Sequence, residues 1–115
     1  MKSETNKRPM LSAPTCWQHE GPCACLRLEI CGNEAPILPY AHLISASLIL
    51  AENAETLRLS FSSHDVELQG HNLRTLLLAL QDFAVKWVRA MPGRYQGLEA
   101  GDNGVITASQ IAEAN

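Results

Sequence analysis

The spacing of apolar residues changes once along this chain, and that change limits what it can fold into. Between Leu26 and Leu68 apolar residues recur at every second position, in short runs. From Leu73 they recur at intervals of three and four. The first spacing is that of half-buried strands, the second that of an amphipathic helix. Leu26, Leu28 and Ile30 alternate with Arg27, Glu29 and Cys31, and Gly32-Asn33 ends the run. Pro36 and Pro39 frame a connector, since proline cannot serve a central ladder. The run Leu43–Ala51 alternates Ile44, Ala46, Leu48 and Leu50 with Ser45 and Ser47. Those serines favour a strand over a helical turn. Leu57, Leu59 and Phe61 alternate with Arg58 and Ser60, and Val66 and Leu68 with Glu67. Strands this close, joined by short polar turns, predict an antiparallel meander with one wet face.

The 3.6 spacing predicts one long helix. Asn72 suits an N-cap. Leu73, Leu76, Leu77, Leu80, Phe83, Ala84, Trp87, Val88 and Met91 form a stripe, with Arg74, Thr75, Asp82, Lys86 and Arg89 opposite. Such a helix of ~19 residues is about 29 Å long. Pro92-Gly93 would stop it. The expected fold is α+β: a meander of about four antiparallel strands packed by this long amphipathic helix, with a disordered N-terminal leader. Residues 1–15 read as a disordered tail, 16–25 as a Cys/His leader, and 26–115 as a single α+β domain. Within the last stretch, Val105–Ile111 reads as a final strand or a short helix.

At 115 residues the chain makes one domain, and with 5% aromatics its core must be mostly aliphatic. The net charge is −3. Residues 1–24 carry +1 (Lys2, Lys7 and Arg8 against Glu4 and Glu20), and the remainder carries −4. An acidic folded part argues against nonspecific nucleic-acid binding, which requires a basic face. No apolar run is long enough to span a membrane. The first fifteen residues lack the apolar core of a signal peptide, so a cytoplasmic protein with reduced thiols is expected.

Three of the four cysteines lie in Cys16–Cys25, CWQHEGPCAC. Cys16 and His19 form one plausible ligand pair and Cys23 and Cys25 a second, with Gly21-Pro22 letting the chain fold back. Cys16, His19, Cys23 and Cys25 are thus a candidate zinc set, because zinc takes about four sulfur or nitrogen ligands. The spacing departs from common zinc patterns. Cys31 is excluded, because a strand over 26–30 would hold it about 20 Å from Cys25. No other cofactor is indicated. Trp17 could anchor the leader on the domain.

Other motifs have plainer readings. Ser63-His64-Asp65 places triad residue types side by side, whereas a triad meets in space from separate segments. It reads as turn residues. His42, His64 and His71 are scattered. Pro36–Pro39 spells P-x-x-P but reads as a rigid connector. Glu99–Gln110 resembles the calcium loop of EF-hand proteins, with Gly104 and Ile106 at that loop's glycine and hydrophobic positions. Gly101 and Gln110 stand where it has carboxylates, and too few remain for the roughly six to eight oxygens calcium takes. An ordinary turn is expected.

On the predicted helix, Leu78 and Val85 make a second apolar ridge at i, i+7, flanked by Arg74 and Arg89. These four are the candidate partner interface, for a protein partner or a second copy. With no catalytic constellation legible, the expected function is a small non-enzymatic binding or assembly module. A metal-binding or thiol-redox regulator using Cys16–Cys25 is the alternative.

Overall fold

The computed structural model describes residues 15–29, 35–91 and 104–114. Among the described residues, eight strands form two four-stranded sheets, with one short helix, α1 (Arg74–Gln81), between the sixth and seventh strands. β1 (Trp17–His19), β2 (Cys25–Glu29), β3 (Ile37–Pro39) and β7 (Val85–Arg89) form the first sheet in the order β1-β7-β2-β3. β4 (Leu43–Leu50), β5 (Glu55–Phe61), β6 (His64–His71) and β8 (Val105–Glu113) form the second in the order β4-β5-β6-β8. A 3-10 turn over Tyr40–His42 links β3 to β4.

The second sheet follows the alternating pattern closely. β5 and β6 pair antiparallel, with Leu57 opposite Leu68 and Leu59 opposite Val66, and all four side chains are buried. β4 adds to one side and β8 to the other, both antiparallel. Of the two readings for Val105–Ile111, the strand is the one formed. At the bulge between Gln69 and Gly70, β8 crosses so closely that a side chain at Gly70 would collide with the Val105 carbonyl.

The long helix and the four-strand meander are corrected by this architecture. The helix ends at Gln81, and most of its expected second half is β7. Phe83 adopts a left-handed conformation at φ 57°. Its N–H donates to the Leu80 carbonyl at 3.0 Å, and the Ala84 N–H to the Ala79 carbonyl at 2.9 Å. This is a Schellman stop, built here without the usual glycine. The carbonyls beyond it go to the expected leader: Cys23 N–H bonds Phe83 O at 2.9 Å and Glu20 N–H bonds Ala84 O at 2.6 Å. β7 then runs antiparallel to β1 and parallel to β2. Val85 and Val88, on opposite faces of the strand, are both fully buried. An interior strand buried on both faces carries apolar residues at spacings that also fit a helix. Tertiary pairing decided between the two.

The helix start differs as well. Asn72 is itself left-handed at φ 57°, and Leu73 takes the cap position. The Leu73 N–H donates to Glu55 Oε1 of β5 at 2.8 Å, which places a carboxylate at the positive end of the helix.

In the Cys/His leader, Trp17 is packed on the domain, as an anchor would be. Cys16 and Trp17 are buried in the same core cluster as Leu28, Leu57 and Leu80. Pro36–Pro39 contributes strand β3, an edge strand, where a proline is tolerated. Residues 1–14, Cys31, Pro92-Gly93 and the first five residues of the EF-hand-like stretch lie outside the described residues. The rest of that stretch is Gly104 followed by strand β8.

Candidate functional site

The most distinctive surface is the outer side of β4. Among the described residues nothing pairs with that side, and β4 is an edge of its sheet. Its sequence, LISASLIL, holds no charged residue. Every other strand of five or more residues holds at least one. Edge strands ordinarily carry charge, proline or a bulge against pairing with another chain. β4 has an irregularity only between Leu43 and Ser45. Ile44 is 71% exposed, Leu50 68% and Ile49 41%. These are three of the six large apolar side chains exposed among the described residues.

A shallow apolar groove of about 400 Å³ runs beside this strand, between it and the end of α1. Ile44 and Ala46 form one wall, and Leu77, Leu80 and Phe83 the other. The left-handed turn at Phe83 brings its ring to the groove. The ring also packs on Tyr40, with centroids 5.0 Å apart and planes inclined by 40°. Tyr40 is buried, its hydroxyl donating to the Val85 carbonyl. Burial pushes that phenol well above its ordinary pKa, so it stays a neutral donor.

A second concavity, about 410 Å³, lies on the outer face of the same sheet beside Arg58, Ser60, Asp65, Glu67 and Gln110. Arg58 Nε and Glu67 Oε2 pair across it at 3.1 Å. Arg58 and Glu67 satisfy each other, and none of these five side chains is buried. Nearby, Ser63 Oγ and His64 Nδ1 lie 2.8 Å apart, so these neighbours do meet in the turn. Asp65 follows His64 along β6 and points to the opposite face, so no carboxylate orients the imidazole from there.

The proposed zinc set is dispersed. Among the described residues no group of three or more His, Cys, Asp or Glu side chains stands close enough to hold a metal ion. Cys16 is buried, its sulfur accepting from the Ile106 N–H at 3.4 Å. Burial pushes the thiol up, against smaller opposing effects of the Ile106 hydrogen bond and Arg89. Cys23 Sγ donates to the Phe83 carbonyl at 3.2 Å, and its thiol is raised by desolvation first and then by Glu20. His19 and Cys25 lie on β1 and β2, with β7 standing between those strands.

The expected helix ridge is also split. Leu78 stays on α1, half exposed, while Val85 is fully buried in β7. Arg74 is exposed at the start of α1. Arg89 is engaged with its own chain: its guanidinium lies 5.1 Å from the Trp87 ring centre, and Nε donates to Thr15 O at 2.8 Å. The residues that do form the exposed apolar surface, Ile44, Ile49, Leu50 and Phe83, were missed as a site. The legible signal was eight residues without charge, apolar on both faces.

No protein-family model, no curated protein and no solved structure matches this chain. Among the described residues no helix is long and apolar enough to cross a membrane, which leaves β-barrel insertion unaddressed.

Proposed function

We propose that this chain is a non-enzymatic binding or assembly module whose docking element is the β4 edge with its adjoining groove. The occupant is an extended strand. One observation carries the reading: an eight-residue, uncharged edge strand that leaves Ile44, Ile49 and Leu50 exposed. Backbone donors and acceptors along such an edge supply affinity, and the groove beside it selects side chains at alternate positions.

The test is selection of strand-forming peptides from a random display library against the purified chain, followed by amide hydrogen exchange. Bound peptides are expected to slow exchange in β4, and Ile44→Lys to abolish their binding. Peptides that bind without protecting β4, and that tolerate Ile44→Lys, would overturn the reading.

A further inference from the structure

We infer that the strand which docks on β4 is β4 of a second copy, making a two-fold dimer with a continuous eight-stranded sheet. The inference rests on the docking reading above and names its partner. Leu43–Ile49 is symmetric by residue class about Ala46: two apolar residues, Ser, Ala, Ser, two apolar residues. An antiparallel pairing centred on Ala46 sets Ala46 opposite Ala46 and Ser45 opposite Ser47, with the Leu43-Ile44 end of each strand, beyond its irregularity, toward the Leu48-Ile49 end of the other. Each residue meets its own kind, as an interface between identical patches requires. Ala46 and Leu48 pair with Leu59 and Leu57 and so lie on their apolar face, which continues across the axis into that of the other copy.

Charge supports the same occupant. The chain is acidic overall, at −3, and two copies approaching at random repel. β4 offers an approach with no charged side chain on the strand. Area supports it too. Ile44, Ile49, Leu50 and Phe83 leave 71%, 41%, 68% and 46% of their surface open in each copy. The strand backbone and the half-buried Leu43 and Leu48 add to this, toward the roughly 1,200–2,000 Å² of stable interfaces. The other edge of this sheet is a poorer candidate. β8 contributes none of the exposed large apolar residues, and it ends in Glu113.

The register gives a charge test. Ser45 and Ser47 are exposed, and Ser47 neighbours Arg58 on β5, so Glu at 47 is tolerated within one chain. S45K/S47E would place opposite charges directly across the two-fold axis, twice. S45E/S47E would place like charges there. Light scattering after gel filtration and native mass spectrometry would read subunit number, with circular dichroism confirming that both variants fold. The expected result is a wild-type dimer, a S45K/S47E dimer at least as tight, and a S45E/S47E dimer at least about tenfold weaker. A wild-type monomer at high micromolar concentration would overturn self-pairing. The peptide experiment would then decide separately whether β4 docks another strand. A dimer indifferent to both variants would also overturn it, placing the contact elsewhere, such as at β8. So would a monomer whose β4 amides are protected, because another segment of its own chain would then cover the edge.

Discussion

The two sheets end differently. The first closes on β1 and β3, three residues each, one of them ending in Pro39. Short edges and proline are ordinary protection against pairing with another chain. The second ends on β4, eight residues long and uncharged. The protected edges belong to the sheet that buries Trp17 and Leu38, and the open edge to the sheet whose last strand keeps Ile44 and Leu50 in solvent. The first sheet's edges are guarded, and the second leaves its exposed apolar residues on an open one.

That contrast breaks first at Trp17. Trp17→Ala empties a fully buried indole from the β1 edge and should cost about 3–5 kcal/mol, read as a drop in the urea midpoint. Stability unchanged within error would return Cys16–Cys25 to the status of a loose leader. Next is Gly104, at φ 80°, where any side chain would collide with the Asn72 carbonyl. Gly104→Ala should cost about 2 kcal/mol or more through the forced left-handed conformation and the collision, again by urea titration.

A pH series sharpens the comparison, since both strongly buried ionisable groups belong to the first sheet and its connections. Tyr40 and Cys16 stay protonated in the fold beyond their ordinary values of 10.0 and 9.0. The unfolded chain ionises there first. Their contribution is therefore complete below about pH 9 and declines as the pH rises further. The urea midpoint should fall between pH 8 and pH 10.5, and less steeply in Tyr40→Phe. Smallest of all is Ile44→Lys, which should change monomer stability by no more than about 0.5 kcal/mol while removing strand docking. A large loss of stability there would mean that β4 is part of the core after all.

Much of the second sheet was legible, because each strand buries one face and period two reports that directly. Leu57–Phe61 and Val66–Leu68 stand where alternation put them. Of the first sheet only β2 was legible, from Leu26 and Leu28 alternating with Arg27 and Glu29. β1 has three residues, too few for a period, and Gly21-Pro22 beside it suggests a loop. β7 is interior and buried on both faces, so Val85, Trp87 and Val88 satisfied a helical stripe equally well. Phe83 gave no warning of a helix end, because its left-handed turn depends on Tyr40 and on the Cys23 and Glu20 amides, which arrive from distant segments. The zinc set is not gathered among the described residues for a related reason. Local spacing groups Cys16 with His19 and Cys23 with Cys25, while Ile106 and Phe83 claim the sulfurs of Cys16 and Cys23 from far along the chain.

The pairing of β1 and β2 with β7 carries a consequence in time. Trp17 meets Val88, and Leu28 meets Val88 from the other side. During synthesis the first two strands must wait until the seventh has emerged, whereas the hairpins of β4, β5 and β6 close on themselves at once. Contacts distant in sequence form slowly, and surface exposed meanwhile invites aggregation. The nascent protein therefore presents LISASLIL, already ordered in its sheet, before the first sheet exists. Its yield in a cell should depend on how soon that strand finds company.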